Sequence, residues 1–448
     1  MNLISKYNVP GPRYTSYPTV PYWETEQWQE SEWIQTIENG LNIDKNPQIS
    51  LYIHLPFCES LCTFCGCHKY ITKQHSQALP YIKTVLKEFD LIQKKLNRDL
   101  VISDIHLGGG TPTFCSVSEL SYLINELRKR TTFSSTIEMS FEANPVTTSQ
   151  EQIQALYDLG FRRVSFGIQD YNETVQKAIN RIQSIELVEK IHSLAKETGY
   201  TSISHDLVYG LPKQQLCGFK KTIDQTILLK PSRVSLYSYA HVPWIKGTGQ
   251  RGFNENDLPS GTSKRTLYEL AKDLFARAGY VEIGMDHFAL PDDSLCTAME
   301  SNLLHRNFMG YTTKPSPVLI GLGMSAISDA WFGFAQNDKN LKSYQQRIQS
   351  GSLAISRGHT LSSEDREIRQ HILNLMCRFE TQITSPSKVH FGNLIKRLFP
   401  MIEDGLVEIN DNRIRITKKG IPFVRNCCMA FDKYLLDPIS ERSFSLTI

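Results

Sequence analysis

Residues Leu51–Tyr70 read LYIHLPFCESLCTFCGCHKY and place Cys58, Cys62, Cys65 and Cys67 within ten positions, directly after an apolar run with the character of a β-strand. Three cysteines spaced C-x3-C-x2-C are too close for separate structural roles, so their thiolates converge on one object. A structural zinc site ordinarily combines two separated pairs, C-x2-C with a distant C-x2-C or H-x3-H, and no second pair accompanies this loop. Thiolate-rich loops also hold iron–sulfur clusters, in which cysteine donates charge to several irons at once. Three cysteine ligands on a four-iron cluster leave one iron open to a substrate or cofactor, which marks the loop as a place of chemistry. Spacing alone leaves Cys67 open as a fourth ligand.

Beyond the bare spacing, Phe64 precedes the third cysteine and Gly66-Cys67 follow it, giving CTFCGC. C-x3-C-x2-C after a strand resembles the fingerprint of the radical S-adenosylmethionine (SAM) superfamily. The CTFCGC form resembles, within it, the oxygen-independent coproporphyrinogen III oxidases (dehydrogenases). The resemblance implies that Cys58, Cys62 and Cys65 hold a [4Fe-4S] cluster and that Cys67 is not an iron ligand.

From residue 48 to about 330 the pattern alternates between strand and helix. β-Branched runs occur at Gln48–Leu55, Val101–Leu107, Thr136–Glu142, Arg163–Gln169, Ser202–Val208 and Arg233–Tyr239. Helical periodicity fills the intervals at Leu79–Leu96, Glu119–Lys129, Gln150–Leu159, Ile185–Glu197 and Leu216–Leu229. Units of this kind predict a parallel sheet covered by helices, with an open doubly wound sheet as the alternative. Gly108-Gly109-Gly110, Glu142, Gln169 and Asp206 fall where strands end, and in a barrel those positions converge on one mouth. The resemblance implies an incomplete (β/α)6 radical SAM barrel.

The run IHLGGGTPTF at Ile105–Phe114 lets backbone groups approach a ligand closely. A phosphate loop is the rival reading, but no GK[ST] follows. By resemblance this segment binds the methionine portion of SAM, and Tyr52, Gly109, Glu142 and Ile327 surround the cluster-bound molecule. Phe64, Gly110, Thr111, Gln169, Arg181, Asp206 and Ala240 match positions lining a second SAM. Carboxylates suit ribose hydroxyls and a sulfonium, and Arg181 suits a carboxylate. Tyr52 and His54 share one strand face, and Tyr52 and Cys67 are placed in or near the chemistry.

The N-terminal arm, YNVPGPRYTSYPTV from Tyr7, carries prolines at 10, 12 and 18 and a glycine at 11, which exclude regular helix. Arg13, Tyr14 and Tyr17 are large groups on a segment that must dock to be used, and Arg13 is assigned to a substrate carboxylate. Thr25–Asn39 follows as an amphipathic helix capped by Thr25 and ended at Gly40. Downstream, IGMDHF, LHRNFMGYTT and LIGLGMSAIS also match the family, and His305 and Arg306 stand as candidate cations for a tetra-acid. Helical runs at Glu364–Arg378 and Lys388–Leu398 precede GLVEINDNRIRITKKG, two short strands about Asn410-Asp411-Asn412, and a helix from about Ile421 to Leu436. This tail reads as winged-helix-like, a lid or support for the mouth. The expected division is an arm and helix over 1–47, a barrel over 48–335 and a mainly helical unit over 336–448.

The 448 residues, with 40% hydrophobic and 21% charged side chains, describe an ordinary globular chain. A net charge of +3 and a wing of mixed sign give no case for nucleic acid. Ten cysteines in this length are not disulfide density, and neither a leader-like apolar segment nor a membrane span is seen. A cytoplasmic protein, a monomer, is expected.

The implied reaction begins with one electron, from a low-potential donor, passing through the cluster to SAM. The resulting 5′-deoxyadenosyl radical takes a hydrogen from the β-carbon of a propionate of coproporphyrinogen III. Loss of an electron to an unidentified acceptor, with carbon dioxide, leaves a vinyl group, twice per substrate, giving protoporphyrinogen IX in heme biosynthesis. Two competing readings are a heme-binding chaperone paralogue, against which Arg13 and Cys67 speak, and another porphyrin-directed radical SAM enzyme.

Overall fold

The computed structural model describes residues 3–25, 28–244, 249–250, 252–384, 388–436 and 444–447, the side chains of 388–391 excepted. Six parallel strands form its centre: β1 (Ile49–Leu55), β2 (Val101–Gly109), β3 (Thr132–Ala143), β4 (Arg163–Gln169), β5 (Ser202–Tyr209) and β6 (Arg233–Ser238). They lie in the sheet in the order of the chain. Each right-handed crossover therefore steps the same way, and the sheet curls instead of reversing at a switch point as a doubly wound sheet does.

Alternation decides which face looks inward. On β1, Ile49, Leu51, Ile53 and Leu55 are at most 1% exposed and pack beneath the helices. Ser50, Tyr52 and His54 point the other way and pair in register with Asp104, His106 and Gly108 of β2. Asp104 and His106 pair in turn with Glu138 and Ser140 of β3. The concave face is thus polar, while the convex face joins the helices Ala78–Leu96, Val117–Arg130, Gln150–Asp158, Ile185–Thr198 and Leu216–Leu229 in one apolar core. Each large apolar side chain buried there contributes about 1.5–3 kcal/mol. Ser116 with Glu119, and Ser149 with Gln152, close reciprocal capping boxes that fix where two of these helices start.

The sheet continues past both edges of this centre. β7 (Val281–Gly284) and β8 (His287–Ala289) extend it beyond β6, and β8 is antiparallel to β6. On the other side β9 (Leu319–Leu322) runs parallel to β1, followed by antiparallel β10 (Ile327–Asp329), β11 (Gly333–Asn337) and β12 (Ile355–Thr360). The outermost strands β12 and β7 are not paired with each other, so the barrel stays open. The boundary expected at 335/336 falls inside β11, because β12 completes this sheet before the helical region starts at Ser363.

The helix expected from Thr25 starts instead at Glu30 and runs to Leu41. Gln29 caps it, its backbone N–H donating to Glu32 Oε2 at 2.6 Å, so the reciprocal box overrides the apolar periodicity that reached back to Trp28. Trp28 lies outside the helix and covers Gly358 of β12, where any Cβ would collide with its ring. Gly40 lies inside the helix, not past its end, packed on Val318.

The C-terminal helices Ser363–Arg378, Lys388–Glu403 and Val424–Phe431 gather with the wing strands Val407–Asn410 and Arg413–Ile416 around a second core. A third strand, Glu380–Gln382, joins the wing. The helix expected over Ile421–Leu436 is confined to Val424–Phe431, flanked by single turns at Ile421–Phe423 and Tyr434–Leu436. Tyr7, Tyr14 and Tyr17 of the arm belong to this second core. Pro10 bridges to Leu446 in antiparallel fashion, so the arm is paired with the far end of the chain.

Candidate active site

The cysteine loop leaves β1 at the mouth and is pinned from three sides. From β2, Gly110 N–H donates to Leu55 O at 2.8 Å and Thr111 N–H to Phe57 O at 2.9 Å. A Cβ at Gly110 would collide with the Pro56 carbonyl, which explains the glycine there. From the turn after β4, Asn180 Nδ2 donates to Leu61 O at 2.8 Å, and Thr63 N–H donates to Ile179 O at 3.0 Å. From beyond β6, the amide of Gln250 donates to both Phe64 O at 3.2 Å and Ala240 O at 3.0 Å. Gln250, only 3% exposed, joins two of the expected SAM positions; it acts on backbone carbonyls, and no motif flags it.

Cys58, Cys62 and Cys65 are half-buried and Cys67 is exposed. Burial pushes the Cys58 thiol up to about 11 and raises Cys62 as well. Set against this, Thr111 Oγ1 lies 3.3 Å from Cys58 Sγ, and Arg181 Nη1 lies 3.9 Å from Cys62 Sγ. The Cys67 thiol, hydrogen-bonded to Cys65, favours thiolate there and carries Cys65 down to about 6. Among the described residues no three His, Cys, Asp or Glu side chains gather closely enough to ligate one ion. A four-iron cluster takes each cysteine on a different iron, so three thiols spread along one pinned loop, with donors beside two of them, fit it better than a single zinc.

Below the loop, Tyr52 OH lies 3.0 Å from His54 Nδ1, and the Tyr52 ring stacks on His106 at 6.0 Å. Phe308 meets Tyr52 edge-on at 4.9 Å. Its segment was legible, but the role of that ring was not. Burial raises the Tyr52 phenol well above its ordinary value and pushes His54 down to about 4, so both are neutral near pH 7. Glu142 lies 3.4 Å from His106 Nε2 and accepts from Gly109 N–H at 3.3 Å. Burial pushes its carboxyl up, but these partners win and hold it below its ordinary value, so it stays ionised. Gly109 has φ +113°, a conformation that favours glycine, and any Cβ there would press on the His54 ring.

Around the mouth, Arg181 Nη2 donates to Gly167 O at 2.7 Å while its Nε is buried without a partner. Gln169 holds φ +68° beside it, and a Cβ on Gly167 would come within 2.7 Å of the Gln169 amide nitrogen. Asp206 accepts from Ser165 Oγ at 2.8 Å, and burial pushes its carboxyl up to about 6. Ile327 opens β10 and packs with Val20, Trp23, Phe334 and Leu361, which brings the arm onto the same rim.

Arg13 reaches the opposite rim. It donates to Asp286 Oδ2 at 3.1 Å and to Ser238 O, at the end of β6, at 2.9 Å. His305 lies elsewhere, lining a small cavity with Ser50, Asp104 and Asp329 at the closed end of the barrel. Arg306 is 7% exposed and stacks over Tyr311 at 5.0 Å, its Nε and Nη1 unpartnered. Cys427 and Cys428 are fully buried in the C-terminal core. Among the described residues no helix is long and apolar enough to cross a membrane.

These features have counterparts in known proteins. Residues 52–226 match the model of the radical SAM superfamily. The chain is 38% identical to an oxygen-independent coproporphyrinogen III oxidase of Pseudomonas aeruginosa, over 100% of this chain and 98% of that protein. It is 39% identical to the enzyme of the same name from Helicobacter pylori, over 99% of this chain and 98% of the relative. The solved structure of coproporphyrinogen III oxidase from Escherichia coli, a radical SAM enzyme, superposes with a TM-score of 0.89 at 37% identity, covering 94% of this chain and 97% of that one. The three-cysteine loop at the mouth of an open polar barrel is thus found in a chain that belongs, over its whole length, to the oxygen-independent coproporphyrinogen III oxidases of the radical SAM superfamily.

Proposed function

We propose that the chain oxidises coproporphyrinogen III without oxygen, converting two propionate side chains to vinyl groups and giving protoporphyrinogen IX. The observation that carries this is the likeness to coproporphyrinogen III oxidases along nearly the whole chain, together with a three-thiol loop facing a polar barrel interior. Cys58, Cys62 and Cys65 would hold the [4Fe-4S] cluster, and Tyr52, Gly109, Glu142 and Ile327 would surround a SAM molecule at its open iron. When bound, the pair supplies a 5′-deoxyadenosyl radical.

The protein's share is to bind, orient and exclude water. Glu142, ionised and braced by His106 and the Gly109 N–H, offers acceptors for the ammonium and hydroxyls of SAM. Phe64, Gly110, Thr111, Gln169, Arg181, Asp206 and Ala240 are the proposed lining of a second SAM. Arg13 would give up Asp286 for a substrate carboxylate, a charge-assisted exchange that ties substrate entry to the arm. Cys67, exposed beside Cys65, would serve packing or substrate-side chemistry rather than ligate iron. A low-potential donor, a separate electron acceptor, a cytoplasmic setting and a monomeric state complete the proposal.

The test is anaerobic reconstitution with iron and sulfide, then incubation with SAM, a reductant and coproporphyrinogen III. Protoporphyrinogen IX with matching 5′-deoxyadenosine is the expected result. Tight heme binding with no decarboxylated product would point to a chaperone, and a product of increased mass to another radical SAM reaction; either overturns the proposal.

A further inference from the structure

A tetra-acid substrate needs cations at more than one place on the rim, and Arg13 serves only the β6 side. On the opposite side, register pairs Ile327 with Gln336, and Gln336 with Arg357. Asp329, two residues from Ile327, pairs with Leu319, and Leu319 pairs with Ser50 of β1. Directly paired residues share a face, so Arg357 lies on the same concave surface as Ile327, Ser50 and Tyr52. Its Nε is buried without a partner, and so is Oε1 of the neighbouring Gln336.

Lys339 follows β11 just beyond its last residue, Asn337. Its ammonium is held below its ordinary value, by burial first and by the Arg357 charge second. Asp338 N–H donates to Ala354 O at 2.7 Å and Ser325 N–H to Asp338 O at 2.8 Å, while Ser325 Oγ lies 3.4 Å from His54 Nε2, so Lys339 stands beside the start of β12 and next to the strand that leads into the cysteine loop. Among the described residues neither Lys339 nor Arg357 forms an ion pair with a carboxylate. Like charges placed together without a counter-ion raise the local potential toward an anion. A guanidinium with a buried free N–H, at the end of antiparallel strands facing the cavity, is a ready carboxylate donor.

We propose that Arg357 and Lys339 form a second carboxylate subsite, which holds one propionate of the substrate on the rim opposite Arg13. This deepens the coproporphyrinogen reading and rests on it. The concave position of Arg357 favours a small acid entering the mouth over an acidic redox protein docking outside.

The probe is coproporphyrin III, the stable fluorescent tetra-acid, titrated anaerobically into reconstituted wild type, Arg357→Gln, Lys339→Gln and the double variant. Each single change is expected to weaken binding by roughly 10-fold or more, with the cluster absorbance and SAM binding unchanged. The Lys339 side chain reaches the surface although its ammonium is partly desolvated, so its variant reports even where Arg357→Gln fails to fold. Wild-type protein that does not bind the porphyrin would sink the substrate reading itself. Wild type that binds, with variants that bind equally well, would sink the subsite alone. Variants that bind normally and turn over normally with dithionite, yet slow with a protein reductant, would assign the patch to donor docking and overturn the proposal.

Discussion

Replacing Arg425 by methionine should loosen the arm while leaving the barrel alone. The Arg425 guanidinium is 6% exposed, and burial lowers it to about 10, so it remains charged at neutral pH. It donates from Nε to Pro12 O at 2.9 Å, from Nη1 to Thr447 O at 3.0 Å and Leu446 O at 3.2 Å, and from Nη2 to Gly11 O. Methionine keeps the packing of the stem and removes all of these bonds. A buried carbonyl left without its donor costs about 1–3 kcal/mol. Water entering the gap will satisfy part of the set, so with two arm carbonyls stranded the docking should weaken by about 2–4 kcal/mol. That is roughly a 30- to 1000-fold rise in the open population. Tyr7, Tyr14 and Tyr17, each no more than 8% exposed, still anchor the arm, so it stays docked for most of the time. Native-state hydrogen exchange reads the opening directly at two amides. Gly11 N–H donates to Ser445 O at 3.0 Å, and Thr447 N–H donates to Val9 O at 2.9 Å. Both should exchange faster by that factor, with the amides of β1–β3 unmoved. Unchanged rates at Gly11 and Thr447, or equal acceleration throughout the barrel, would refute the clamp.

Three further outcomes are expected. Cys62→Ser should abolish the broad visible absorbance of anaerobically reconstituted protein and all SAM cleavage, whereas Cys67→Ser should retain the absorbance; its loss there would make Cys67 a fourth ligand. Arg181→Ala, which removes the bond to Gly167 O and the group beside Cys62 Sγ, should lower SAM stoichiometry or turnover with the cluster intact, and normal values of both would leave the second SAM site without support. Glu88 accepts from Tyr344 OH at 2.6 Å, Gly323 N–H at 2.8 Å and Asn337 Nδ2 at 2.6 Å, yet burial still pushes its carboxyl up to about 7. A raised carboxyl favours the fold at low pH, and that contribution is lost as pH rises through about 7. The histidines lowered by burial add their own slope below their ordinary range, equally in wild type and variant, so the difference between wild type and Glu88→Gln isolates the carboxyl. Between about pH 4.5 and 7 the thermal stability of the wild type should therefore fall relative to that of Glu88→Gln, and the gap should stay constant above about 7; parallel curves across that range would count against it.

The six central strands were legible because each carries one apolar face for the helices and one polar face for the cavity. Ser50, Tyr52 and His54 alternate with Ile49, Leu51, Ile53 and Leu55 too regularly for any other element. Strands β9 to β12 escaped because they are short and joined by antiparallel turns, and Gly321 and Gly333, on β9 and β11, show their purpose only against the neighbouring backbone at Ile327 and His359. The helix start was misjudged because Trp28 fits an apolar stripe but instead covers a glycine on another strand. At the site, the cysteine motif stood out by its spacing, while roles for the glycine run came from the family resemblance. Gln250 and Phe308 could be named from neither, since one acts through carbonyls and the other through ring geometry across distant parts of the chain. The pairing of Arg13 with Asp286 was likewise invisible, for nothing local joins an arm arginine to the turn between β7 and β8.

The pairing of Val9–Gly11 with Ser445–Thr447 also sets an order of assembly. During synthesis the arm emerges before the barrel, yet its pairing segment, its arginine clamp and most of its apolar seat are translated after it. The barrel and its cysteine loop can therefore fold while the rim is still uncovered, and iron and sulfide have access to the thiols throughout that interval. The arm closes only when Ser445–Thr447 are free to pair with it. A bulky insertion beside Val9–Gly11 or Ser445–Thr447 meets the same seam and is expected to hold the rim open.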